Sequence, residues 1–88
     1  MREIASLITN LKTEKDILKF FSEIFTPSEI ETLSKRWRIL KSLSENETQR
    51  DIAKQYNVSL CKVTRGAKIL KDKNAITTKF LKKDKDNE

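Results

Sequence analysis

Among its 88 residues the chain has no histidine, one cysteine (Cys61), one glycine (Gly66) and one proline (Pro27). Each scarcity excludes something. Without histidine, Ser-His-Asp and Cys-His catalysis are ruled out, and a zinc site of the usual nitrogen-and-sulfur kind has no ligand set. Neither catalytic residues nor a metal site are expected, so an enzyme is the weakest reading. A lone thiol cannot close an internal disulfide, which fits a reducing, cytoplasmic compartment. With so few turn-makers and no Asn-Gly pair, β-hairpins lack their turns. No long apolar run follows Met1-Arg2-Glu3, so neither a signal peptide nor a membrane span is expected. These exclusions leave an all-α chain of about five to six helices.

The length suits one domain, 1–88, with no room for a second core. A domain this small buries only roughly 60% of the surface its unfolded chain exposes, so a lone monomer would be marginal. Charge is unevenly placed. Residues 1–47 hold eight Lys/Arg against eight Asp/Glu, whereas residues 48–85 hold eleven against three. A basic half joined to a neutral half implies an anionic partner for the C-terminal part, and the bland alternative is a lysine-rich solubilising surface.

Apolar spacing predicts a first helix from Arg2 to about Lys12, with Ile4, Leu7, Ile8 and Leu11 on one face. Thr13 is placed to cap a second helix by bonding the amide of Asp16. Its side chains Ile17, Leu18, Phe20, Phe21, Ile24 and Phe25 form a wider apolar surface than one small core needs, which suggests burial against a second chain. Thr26-Pro27-Ser28-Glu29 reads as N-cap, first helical position and capping-box partner. The helix it starts should turn Ile30, Leu33, Trp37, Leu40 and Leu43 inward and end near Ser44-Glu45-Asn46. Asp72-Lys73-Asn74 should interrupt the chain before a short final helix carrying Ile76, Phe80 and Leu81. A charged tail, 82–88, is expected to fray.

Between these lies a helix-turn-helix at about 49–71. Thr48 caps a short helix from Gln49 to Tyr56, and Ala53 is small enough for two helices to approach closely. Asn57 tolerates the left-handed turn, Val58 plugs it, and Ser59 caps the next helix. At about 100° per residue, Leu60, Val63, Gly66, Ala67 and Leu70 share one arc. Cys61, Lys62, Thr64, Arg65, Lys68 and Lys71 face the other way, with Ile69 at the edge. A recognition helix needs this division, an apolar back and a front of long donors for the major groove. A solvated basic helix has the same wheel, but it does not need the Asn turn, the Ser cap and the small Ala53 in register.

Geometry assigns candidate DNA contacts. Leu60, Cys61, Lys62 and Thr64, early in the second helix, would lie nearest base edges. Gln49 and Arg50 would reach a phosphate or a flanking base, and Lys68 and Lys71 phosphates. The function these residues imply is sequence-specific binding of a double-stranded DNA operator by a transcription regulator. The rival is a helical interaction module whose basic face binds an acidic protein.

Several segments together resemble the tryptophan repressor family: Phe25-Thr26-Pro27-Ser28-Glu29, Lys35-Arg36-Trp37-Arg38-Ile39, Gln49-Arg50-Asp51-Ile52 and Val63-Thr64-Arg65-Gly66. The resemblance runs from about Phe25 to Lys71. It implies an intertwined homodimer that represses transcription at a palindromic operator, with L-tryptophan as co-repressor. By position it assigns Arg36 and Arg65 to the two sides of the indole, with Thr26, Gly66 and Ile69 completing the ligand site. Ile69 departs from the family pattern, which has a serine bonding the ligand's amino group. Trp37 stands where a smaller aliphatic residue is usual, and the link before Gln49 is about one residue shorter. The resemblance therefore leaves three outcomes open for the pocket: weak tryptophan binding, another ligand, or occupation by Trp37 itself.

Overall fold

The structure, a computed structural model, describes residues 1–86. Six helices and no strand are found among them: α1 (Arg2–Asn10), α2 (Glu14–Ile24), α3 (Pro27–Ser44), α4 (Gln49–Tyr56), α5 (Leu60–Lys71) and α6 (Ile76–Asp86). The all-α expectation is met. No helix is long and apolar enough to cross a membrane among the described residues. The chain divides into two compact units, Met1–Leu33 and Ser34–Glu88, and α3 runs through the boundary.

In the first unit the caps do what their residue types dictate. The Thr13 hydroxyl accepts the Asp16 amide at 3.1 Å. At the start of α3 the Thr26 amide donates to Glu29 Oε1 at 2.9 Å while the Thr26 hydroxyl accepts the Glu29 amide at 3.2 Å, a complete capping box. α1 stops at Asn10, two residues before the expected end, because Leu11 is already extended with φ −75° and ψ 129°. The phenyl rings of Phe21 and Phe25 meet edge-on at 5.5 Å between centroids. Neither α1 nor α2 has a buried residue, and Leu7, Leu18 and Ile24 are exposed. Two amphipathic helices thus keep much of their apolar surface open to solvent.

The second unit has a core. Ile39, Ile52 and Val63, from α3, α4 and α5, are buried, and Leu43, Ala53, Tyr56 and Val58 pack around them. Ile52 and Val63 are 0% exposed; each is worth about 1.5–3 kcal/mol relative to an exposed side chain. The expected inward face of α3 is corrected here. Leu33 and Trp37 are 46% and 40% exposed, whereas Ile39 and Ser42 are buried. Leu40 and Leu43 do turn inward as expected, and the face that meets α4 and α5 is Ile39–Leu40–Ser42–Leu43. A serine can sit there because its hydroxyl shares a hydrogen bond with the Tyr56 hydroxyl at 3.1 Å.

The tail is also corrected. α6 continues to Asp86, so Lys82–Asp86 is helical rather than frayed, while Asn87 and Glu88 lie outside the described residues. The helix is tied down at its start and middle: the Thr78 hydroxyl donates to the Ile69 carbonyl at 3.1 Å, and Leu81 is buried. The Asn74 amide donates to Asp72 Oδ1 at 2.9 Å, an Asx turn that breaks the chain between α5 and α6.

Candidate nucleic-acid interface

The turn between α4 and α5 is built from backbone hydrogen bonds that only a left-handed residue permits. Asn57 has φ 53° and ψ 52°. Its amide donates to the Lys54 carbonyl at 3.3 Å, and the next amide, Val58, donates to Ala53 at 3.0 Å. This is the paired closure of a Schellman motif, with the Val58 side chain packed beside Ala53 against the core. The same device ends α3: Asn46 has φ 66°, its amide reaches the Leu43 carbonyl at 3.1 Å, and Glu47 reaches Ser42 at 3.3 Å. Asparagine takes the place of glycine at both stops because its short polar side chain tolerates the left-handed region. Thr48 caps α4 through the Asp51 amide at 3.2 Å, and Ser59 caps α5 through the Lys62 amide at 3.4 Å.

α5 rests its back on α3 and α4. Val63 and Gly66 are buried and Ala67 and Leu70 half-buried. A Cβ at Gly66 would lie 3.1 Å from Leu43 Cδ1, 3.4 Å from Leu40 Cδ2 and 3.6 Å from Ile39 Cγ2. The helix has a glycine where α3 side chains leave little room for a side chain. Leu60, assigned by the wheel to this back, is instead 49% exposed at the first position of the helix. It joins the residues free to meet a partner.

The remaining candidates for DNA contact, Gln49, Arg50, Cys61, Lys62, Thr64, Lys68 and Lys71, are all exposed. Lys62, Lys68 and Lys71 share α5 with Arg65, also exposed, and α5 has no acidic residue in its first turn. One contact within this set was not visible in the sequence: the Thr64 hydroxyl lies 3.0 Å from Gln49 Oε1, joining α4 to α5. A separation of 15 residues gives no local periodicity to read, so only the tertiary fold reveals it.

The residues assigned to a ligand fall in different places. Arg36 is exposed on α3 and Arg65 exposed on α5, two helices that touch through Gly66. Ile69 is 39% exposed, and its carbonyl accepts the Thr78 hydroxyl. Thr26 belongs to the first unit, where its hydroxyl and amide are taken by Glu29. Trp37 does not sit in the hydrophobic core; its indole meets the Phe80 ring edge-on at 5.7 Å between centroids.

An α4–α5 pair closed by a left-handed turn, buried on one side and cationic on the other, defines a helix-turn-helix protein. The comparisons with known proteins narrow this. The model of the Trp repressor protein family matches residues 1–85. A Trp operon repressor homolog of Chlamydia trachomatis serovar D is 35% identical over 80 residues, covering 90% of this chain and 85% of that protein. The homolog of Chlamydia caviae is 35% identical over 81 residues, covering 91% and 80%. That of Xylella fastidiosa is 44% identical over 61 residues, covering 67% and 66%. No solved structure matches the chain. The chain belongs to the Trp repressor family and is a repressor-like transcription regulator.

Proposed function

We propose that the chain is one DNA-binding domain that acts in the cytoplasm as an intertwined homodimer, repressing transcription by occupying a palindromic duplex operator. The observation that carries this reading is α5: its back is buried on α3 and α4 while Lys62, Arg65, Lys68 and Lys71 stay exposed beside a capped, left-handed turn. Leu60, Cys61 and Lys62 read base edges, and Arg50, Lys68 and Lys71 neutralise phosphates. The open apolar faces of α1 and α2 support the dimer, since a unit of 33 residues without a buried side chain gains little stability alone. The names of the relatives, Trp operon repressor homolog, support the same role.

Titration of labelled duplex DNA with the protein over a range of salt tests the reading. Three phosphate-binding cations per protomer give a dimer about six, and hence a slope of log affinity against log salt near −5. A flat dependence refutes it, and retention of an acidic polypeptide but not duplex DNA favours a protein partner instead.

L-Tryptophan is the effector this reading assigns, held between Arg36 and Arg65 beside Gly66. Ile69 offers no hydrogen bond to the ligand's ammonium. The missing partner costs about 1–3 kcal/mol, so affinity falls about five- to 150-fold below that of a site with a hydroxyl there. Calorimetry with L-tryptophan, and DNA titrations with and without it, check this. No heat and no change in DNA affinity would remove the effector while leaving DNA binding intact.

A further inference from the structure

Gln49 opens α4 and Thr64 stands on the exposed front of α5, and their side chains meet on the face assigned to DNA. Thr64 Oγ1 lies 3.0 Å from Gln49 Oε1 and 3.0 Å from the Leu60 carbonyl. A hydroxyl has one hydrogen to donate, and with Oε1 as its acceptor the Gln49 amide turns both Nε2 hydrogens outward. Phosphate oxygens only accept hydrogen bonds. An amide presenting Nε2 suits them, and one presenting Oε1 repels them. The first helix of a helix-turn-helix crosses the DNA backbone, so on the DNA-binding reading Gln49 at the start of α4 would meet a phosphate.

We propose that Thr64 is a positioning residue that acts on DNA through Gln49, holding its amide with the donor side toward a phosphate so that Gln49 makes an uncharged backbone contact. The proposal rests on the DNA-binding reading above and refines it, because Thr64 then orders a neighbour instead of reading a base. The opposite orientation has a distinct consequence. If Nε2 faced Thr64, the hydroxyl would donate to Leu60 and Gln49 would present Oε1 with one hydrogen, an edge that fits adenine. Contact through that edge would depend on sequence, whereas a phosphate contact does not.

The test uses the full chain and a panel of fluorescein-labelled 30-base-pair duplexes of different sequence, titrated at several potassium chloride concentrations. Gln49→Ala should lower affinity on every duplex by about tenfold for each protomer, and so about a hundredfold for the dimer, the order expected for a hydrogen bond to a charged acceptor. Thr64→Val should lower it on every duplex too, and the double variant should bind no worse than Gln49→Ala because both substitutions remove one contact. The salt slope should not move, since neither residue releases a counterion. Thr64→Ser keeps the hydroxyl and should bind like the native chain. Multiplicative losses, losses confined to particular sequences, or a Ser variant as weak as Val would each overturn the proposal. Absence of duplex binding by the native chain would overturn it together with the operator reading. Independent losses in a chain that binds duplex with a steep salt slope would overturn the positioning role alone.

Discussion

Gly66→Ala sets two effects of known size against each other at the contact that fixes α5 on α3. Alanine in place of glycine inside a helix gains about 1 kcal/mol from backbone entropy. The new methyl, however, would stand 3.1 Å from Leu43 Cδ1, where ordinary carbon contacts are about 3.5–4.0 Å. Leu43 must therefore give by a few tenths of an ångström. It packs against the buried cluster of Ile39, Ile52 and Val63, so its retreat loosens the core of the second unit. Overpacking of this kind costs about 1–3 kcal/mol, and the clash wins by about 1 kcal/mol. Thermal melting at fixed protein concentration should show Tm falling by about 4–8 °C. The decisive comparison repeats the substitution in a Leu43→Ala background. There the nearest atom becomes Leu40 Cδ2 at 3.4 Å, and the helix term should prevail, so that Gly66→Ala stabilises by up to about 1 kcal/mol. A rise in Tm in the native background, or the same sign in both, would refute the close-approach account of this glycine.

Ile52→Ala, at a side chain with 0% exposure, should cost about 2–5 kcal/mol in urea unfolding and loosen α4 and α5 together. Asn57→Ala forces a Cβ-branched-free but unassisted residue into φ 53° and should lose about 1 kcal/mol, whereas Asn57→Gly should be nearly neutral; equal effects would remove the left-handed argument. Thr26→Ala breaks the reciprocal capping box of α3 and should lower stability by about 0.5–2 kcal/mol, read by the same melts. In DNA titrations Lys62→Ala should change sequence preference, while Lys71→Ala should weaken every duplex alike and reduce the salt slope; identical behaviour of the two would undo the assignment of Lys62.

Much of the architecture was written locally. Thr13, Thr26, Thr48 and Ser59 mark helix starts because each hydroxyl can reach an amide three residues on, and Pro27 fits only a first turn. Asn57 signals its turn because few residues tolerate positive φ. Periodicity likewise placed Val63 and Gly66 inside and the lysines of α5 outside, since a single helix repeats its faces whatever surrounds it.

The tertiary structure decided what depends on partners distant in sequence. The inner face of α3 follows Ile39 and Ser42 rather than Leu33 and Trp37, because α4 and α5 set which side is covered and Tyr56 supplies the hydroxyl that makes Ser42 acceptable there. α6 runs through the charged segment because Thr78 and Leu81 anchor it, and charge alone reads as a frayed end. The contact of Gln49 with Thr64, the edge-on packing of Trp37 on Phe80, and the closeness of Gly66 to Leu43 all join different helices. A sequence specifies hydrogen-bonding capacity and periodicity residue by residue, and so determined the helices, the capped starts of α2 to α5 and the helix-turn-helix. Which side chains meet depends on how the helices cross, and that angle is set by packing summed over the whole core.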